Sequence, residues 1–175
     1  ISIDDLKNYV AVWREPLSSD YRGNQVITMG PPSSGGVHII QMLNILENYK
    51  LNEFEHNSSE YINLLTEVMK HAYADRSKYL GDPDFYEVPI EKITSPDYAD
   101  EIFNSIKIGS SIPSKNIYPG MYLKDESPET THFSVADKNG NVVSSTYTLN
   151  STFGSGVVIK GTGIIMNNEM DDFSA

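Results

Sequence analysis

The sequence predicts an α+β fold, with helices covering one face of a largely antiparallel sheet. Three observations point there. Up to about residue 115 the apolar residues recur at helical spacing between capping signals. From residue 131 onward they alternate, and an Asn-Gly pair sits between two alternating runs. Between the two regimes lies a stretch rich in Pro, Ser and charge.

Taken in order, Ser2 with Asp5 three residues on is a capping-box pattern that opens a short helix through Tyr9. Tyr21 to Met29 alternates loosely and reads as a strand. Gly30-Pro31-Pro32-Ser33-Ser34-Gly35-Gly36 is a turn-rich break. Val37, Ile40, Leu43, Ile45 and Leu46 then form the buried stripe of a helix running to about Lys50. A longer helix starts near Asn57, with Glu60 completing a capping pair. Its stripe is Ile62, Leu65, Val68, Met69, Ala72 and Tyr73, and Gly81-Asp82-Pro83-Asp84 stops it after about Leu80.

Ser95 as N-cap and Pro96 at the first helical position signal a third helix, carrying Tyr98, Ile102, Phe103 and Ile106. Residues 111–129 have the composition of a linker or exposed loop. Thr131 to Ala136 and Asn141 to Leu149 flank Asp137-Lys138-Asn139-Gly140, a strong hairpin signal. Gly156 to Met166, interrupted by Lys160-Gly161-Thr162-Gly163, reads as a second hairpin.

Composition narrows the function classes. A length of 175 residues suits one domain or a large piece of one, and 39% hydrophobic residues suffice for a packed core. The 13 Lys and Arg against 24 Asp and Glu give a formal charge of −11, unsuited to nucleic acid or an anionic membrane. No apolar run approaches the roughly 18 residues of a membrane span. With Cys 0, disulfides, cysteine metal sites and thiol nucleophiles are excluded. The chain begins at Ile1 with no basic, then apolar, leader behind it, so a signal peptide is expected to be absent or removed. Together with its unmarked end at Ala175, this suggests a piece of a longer protein.

The construction with most chemical content is the polar segment that runs directly into Glu129-Thr130-Thr131 and then a strand. A hydroxyl at such a junction can attack the preceding carbonyl, shift the acyl group from nitrogen to oxygen and release a new N-terminus. The freed α-amine has a pKa of about 7.7–8, so it can accept the proton of its own threonine hydroxyl. One residue then supplies both nucleophile and base. The plainer reading is that Thr-Thr opens a strand, where threonine is favoured, and spacing alone leans that way.

Two further segments bear on the choice. Thr146 to Thr152 puts hydroxyls and an amide at the end of the strand paired with the one following Thr130. Asn167-Asn168-Glu169-Met170-Asp171-Asp172 gathers three carboxylates and two amides, suited to an ammonium group. Alternating threonines and a solvated acidic turn are the ordinary readings of both. A metal reading of Glu169, Asp171 and Asp172 lacks the spaced ligands and glycine of a calcium loop. His38, His56, His71 and His132 show no metal-ligand spacing, and His132 should face away from its immediate strand neighbours. Ser33-Ser34-Gly35-Gly36 lacks the lysine of a phosphate loop and reads as a tight turn before a helix.

Thr130-Thr131-His132-Phe133-Ser134-Val135-Ala136-Asp137, Asn139-Gly140-Asn141, Thr146-Tyr147-Thr148-Leu149-Asn150 and Asn167 through Ser174 closely resemble the γ-glutamyltranspeptidase (glutathione hydrolase) family. Upstream, Pro31 to Gly36, Tyr73-Ala74-Asp75-Arg76 and Leu80 to Phe85 resemble the end of that family's large subunit.

The resemblance implies an N-terminal-nucleophile hydrolase fold, a four-layer αββα sandwich present here in part. It implies cleavage between Glu129 and Thr130. Residues 1–129 would be the C-terminal part of the large subunit and 130–175 the N-terminal part of the small one. Thr130 would be the nucleophile and Thr148 the hydroxyl supporting it. Asn150, Glu169 and Asp172 would hold the α-amino end of the substrate. Neither metal nor other cofactor is implied.

The implied partners are glutathione or a related γ-glutamyl amide, water or an amino acid or peptide acceptor, and the rest of the two subunits. The implied location is periplasmic, secreted or at the cell surface. The family's carboxylate-pairing arginine would lie before Ile1, and its paired serines and paired oxyanion glycines after Ala175. These 175 residues alone are therefore expected to be inactive. Two rivals stay open: an acylase on the same fold, such as a cephalosporin acylase or poly-γ-glutamate depolymerase, and a non-catalytic, unprocessed module.

Overall fold

Residues 2–117 and 131–172 are those described by the computed structural model. They fall into two units, one of residues 12–117 and one of residues 2–11 with 131–172. Glu129 and Thr130 lie outside the described residues.

In the first unit β1 (Leu17–Tyr21) and β2 (Asn24–Thr28) form an antiparallel hairpin, Leu17 opposite Thr28 and Tyr21 opposite Asn24. The expected single strand from Tyr21 is thereby corrected. Pairing begins earlier, and the chain reverses at Arg22 and Gly23, with φ of 50° and 78°. A two-residue hairpin turn needs left-handed backbone at such positions. Arg22 tolerates it while its guanidinium donates to the carbonyls of Tyr49 (2.6 Å) and Leu46 (3.4 Å).

α2 (Gly35–Glu47) starts hard against the end of β2. A Cβ at Gly36 would lie 1.8 Å from the Met29 carbonyl oxygen, so only glycine fits. The helix stops short of Lys50, and a 3₁₀ turn over Leu51–Glu53 follows. α3 (Ser59–Tyr79) is capped by Ser58, whose hydroxyl accepts from Tyr61 N–H at 3.2 Å. Asn57, at φ 57°, lies outside the helix, and Glu60 accepts from Ser59 Oγ instead of closing a box. The single-turn α4 (Ile90–Ile93) was not foreshadowed by periodicity. α5 (Pro96–Ser105) has the expected Ser95 cap, accepting from Tyr98 N–H at 3.2 Å.

Ile45, Leu46 and Tyr49 at the end of α2, Leu64 and Val68 of α3, and Ala99, Ile102 and Ile106 at α5 make the core. Tyr49 meets Phe103 edge-on at 4.9 Å. Beside this core, buried Asp75 on α3 accepts from Gln41 of α2 and, at 3.0 Å, from the Tyr98 hydroxyl of α5. Burial pushes the Asp75 carboxyl upward, partly offset by the bonds from Gln41 and Tyr98.

In the second unit α1 (Ile3–Asn8) carries the expected capping box, Asp5 N–H donating to Ser2 Oγ at 3.2 Å. β3 (Thr131–Ala136) and β4 (Val142–Tyr147) pair antiparallel, Thr131 opposite Tyr147 and Ala136 opposite Val142. Asp137 organises their turn: its Oδ1 accepts from the N–H groups of Asn139 (2.8 Å) and Asn141 (2.9 Å). The expected hairpin over 156–166 narrows to one bridge, Val158 with Ile165, beside backbone bonds from Ile159 to Ile164 and from Met166 to Val157.

Candidate active site

The strand that follows Thr130 fixes the geometry of the site. Thr131 stands opposite Tyr147, so the residue directly after Thr130 in the chain is paired with the residue before Thr148. β4 ends there, two residues sooner than expected. The cause is local. Thr148 Oγ1 accepts from the Asn150 N–H at 2.8 Å, and Asn150 adopts a left-handed φ of 73°. A hydroxyl that captures the N–H two residues on competes with the ladder and turns the chain. Asparagine tolerates that φ better than most side chains.

Asn150 is 7% exposed, and the bonds around it explain why it can be. Its Nδ2 donates to the Asn168 carbonyl at 3.0 Å. Asn168 reciprocates: its Oδ1 accepts from Ser151 N–H at 3.1 Å and its Nδ2 donates to Ser151 Oγ at 3.2 Å. Its own N–H donates to the Leu149 carbonyl at 3.1 Å. This stitching joins residues 149–151 to the 3₁₀ turn Glu169–Asp172. Glu169 N–H donates to Asn167 Oδ1 at 3.0 Å, which starts that turn. Gly154 closes the other side: a Cβ there would lie 2.2 Å from the Met166 carbonyl oxygen.

Thr148, Asn150 and Glu169 are thus gathered in one loop cluster, and Asp172 ends its 3₁₀ turn. Asn168 is the residue that sequence reasoning passed over. In the sequence it is one amide of an acidic turn; in the structure it is the clamp between two segments. His132, read as facing away from its neighbours, bridges the hairpin: Nδ1 lies 2.7 Å from Thr146 Oγ1 and Nε2 lies 3.0 Å from Ser144 Oγ. Both ring nitrogens are engaged with strand hydroxyls. Among the described residues no group of three or more His, Cys, Asp or Glu is placed to hold a metal ion.

The family model described as gamma-glutamyltranspeptidase matches residues 1–175. The chain belongs to the γ-glutamyltranspeptidase family. It is 53% identical over 175 residues to the glutathione hydrolase proenzyme of Escherichia coli, covering all of this chain and 30% of that protein. It is 45% identical over 169 residues to the acylase ACY 1 proenzyme of a Pseudomonas species, covering 97% of this chain and 30% of that protein. It therefore spans about 30% of the length of these relatives.

Among solved structures, the γ-glutamyltranspeptidase of Helicobacter pylori superimposes with a TM-score of 0.64 at 44% identity, over 71% of this chain and 36% of that one. The cephalosporin acylase of Bacillus halodurans gives 0.73 at 30% identity, over 97% of this chain and 29% of that one. The expected fold class stands: the chain is part of an N-terminal-nucleophile hydrolase fold, mixed helix and strand. In this family setting the Asn168 clamp lies beside the residues expected to meet substrate.

Proposed function

We propose that the full-length protein cleaves itself before Thr130 and then transfers the γ-glutamyl group of glutathione, or of a related γ-glutamyl amide, to water or an amino acid. The observation that carries this reading is the Thr131–Tyr147 pairing with Thr148 directly after it, joined through Asn168 to Glu169. Thr130 precedes Thr131 by one peptide bond.

In the first reaction the Thr130 hydroxyl adds to the Glu129 carbonyl carbon. The C–N bond breaks as an ester forms, the nitrogen takes up the hydroxyl proton to become a free amine, and water hydrolyses the ester to a carboxylate and the restored hydroxyl. Residues 1–129 and 130–175 then belong to the large and small subunits. In the second reaction the freed amine takes the Thr130 hydroxyl proton while the oxygen attacks the γ-carbonyl of the donor. The leaving amine departs with that proton, and water or an acceptor amine resolves the glutamyl ester.

Thr148 Oγ1 accepts from the Asn150 N–H, which fixes the hydroxyl at the end of β4. In this reading that hydroxyl supports the Thr130 oxygen. The Asn150 amide oxygen with the Glu169 and Asp172 carboxylates supplies the acceptors that a substrate α-ammonium group requires. The same reading places the enzyme outside the cytoplasm, which cell fractionation tests.

A second reading, an acylase on this fold, is favoured by the likeness to the ACY 1 and cephalosporin acylase proteins. A kinetic comparison of glutathione with an acyl-cephalosporin on the full-length enzyme separates the two. The γ-glutamyl reading predicts a higher kcat/KM for glutathione and a loss of that preference in Glu169→Gln. A higher kcat/KM for the cephalosporin would replace it with the acylase reading.

A further inference from the structure

The β3–β4 hairpin carries a polar network that the proposed chemistry leaves unused. Successive side chains on a strand point to opposite faces, so His132 and Ser134 of β3 share one face with Ser144 and Thr146 of β4. His132 stands opposite Thr146, and its ring reaches two rungs of the partner strand at once. Nδ1 lies 2.7 Å from Thr146 Oγ1, and Nε2 lies 3.0 Å from Ser144 Oγ. Ser144 Oγ lies in turn 3.3 Å from Ser134 Oγ. The opposite face holds Phe133, Val135, Val143, Ser145 and Tyr147 instead.

A two-stranded ribbon is marginally stable, and its register has to be specified, because a one-residue slip turns every side chain to the other face. At the turn end Asp137 specifies it, accepting from the N–H groups of Asn139 and Asn141. At the open end the His132 ring does so. A one-residue slip of β4 would bring either Ser145 with Val143 or Tyr147 with Ser145 to the ring. Only one ring nitrogen would then meet a serine or threonine hydroxyl. Both bonds form in the observed register, where each hydroxyl can donate or accept as the ring requires. Thr148 follows two residues beyond Thr146, just past the end of β4 at Tyr147, and its Oγ1 accepts from the Asn150 N–H at 2.8 Å. The rung that His132 pins is therefore the last one on its face before Thr148.

We propose that His132 is a positioning residue for Thr148: by engaging Thr146 and Ser144 together it locks β4 in register against β3 at the end where Thr148 follows. The inference rests on the role given to the Thr148 hydroxyl above. His132 takes no part in the bond changes. Its effect runs through geometry, since a displacement of about 1 Å at a reacting group can cost roughly 10²-fold in rate.

The test uses the full-length enzyme in wild-type form and as His132→Leu, His132→Gln, Thr148→Val and the double variant Ser144→Ala/Thr146→Val. Folding is followed by thermal melting, and kcat and KM for glutathione are taken per cleaved chain, counted on a denaturing gel. The expected result is a kcat about tenfold or more lower in His132→Leu and in the double variant, at the wild-type KM. His132→Gln recovers most of that loss, because its amide still offers a donor and an acceptor. A merely structural role would lower the melting temperature without moving kcat per cleaved chain. Folded His132→Leu with the wild-type kcat overturns the positioning role, as does a KM that rises in parallel or a His132→Gln no faster than His132→Leu. So does failure of both His132→Leu and the double variant to give a folded, cleaved chain, which would make the network part of folding or maturation instead. If Thr148→Val turns over at the wild-type rate, the role given to Thr148 fails and takes this inference with it. If Thr148→Val loses turnover while His132→Leu keeps pace with wild type, only the positioning role fails.

Discussion

Asn168 shows how much one side chain can organise. Its amide and its backbone together make four hydrogen bonds to residues 149–151, holding Asn150 beside the turn that carries Glu169. Removing the amide leaves the Ser151 N–H and hydroxyl without that partner, at a cost of about 1–3 kcal/mol if they stay buried. Asn168→Ala in the full-length enzyme is therefore expected to raise the KM for glutathione while the extent of cleavage before Thr130 is kept. Steady-state kinetics beside a gel checks both. An unchanged KM would show that the clamp does not shape the donor site. The residue types named for the site were legible in the sequence, because hydroxyls, an amide and carboxylates at those points matched a family pattern. The clamp was not legible, because an asparagine in an acidic turn carries no mark of the segment it will bond seventeen residues away.

Helices were the most readable elements. Ser58, Ser95 and Ser2 each accept the N–H three residues on. Of the expected stripes Val68, Ala72, Ile102 and Ile106 are buried, but Ile62 and Met69 on α3 are exposed, and Leu64 and Ala99, outside the stripes, are buried in their place. The hairpin β1–β2 was misread because Arg22-Gly23 is not a typical turn pair, and the carbonyls that Arg22 caps lie far along the chain. Truncating Leu64, fully buried in the core, is expected to destabilise the protein by about 2–5 kcal/mol, measured by denaturant unfolding. His38 on α2 supplies a pH dependence. Burial, with a smaller contribution from the Arg76 charge, pushes it down to about 4 from 6.5. Above 6.5 the ring is neutral folded and unfolded, so it adds no pH dependence. As pH falls from 6.5 towards 4 the unfolded chain binds a proton that the folded one refuses, and stability drops, by at most about 3 kcal/mol. Unfolding of His38→Gln should be flatter than wild type across that interval. Parallel curves would assign the dependence elsewhere.

At the scale of the whole molecule, the second unit presents a hairpin with Phe133, Val135, Val142, Val143 and Tyr147 all exposed. Phe133, Val135, Val143 and Tyr147 share one face of the ribbon, and an exposed apolar face on a two-stranded sheet is a liability in water. Residues 1–175 expressed alone are expected to self-associate, which light scattering checks, and to lack turnover. The oxyanion glycines implied by family resemblance are not among these residues, and each absent donor costs roughly 10²–10³ in rate. Glutathione turnover by this segment alone would contradict that account.

The proposed chemistry requires Thr130 to become the first residue of a new chain and to work through its own amine. The most direct measurement is intact mass with N-terminal sequencing of the purified full-length enzyme, beside its Thr130→Ala variant. The wild type is expected to yield a small subunit beginning Thr130-Thr131-His132, and the variant a single uncleaved, inactive chain. An active wild-type enzyme that remains one chain, or a Thr130→Ala protein that still turns over glutathione, would contradict it.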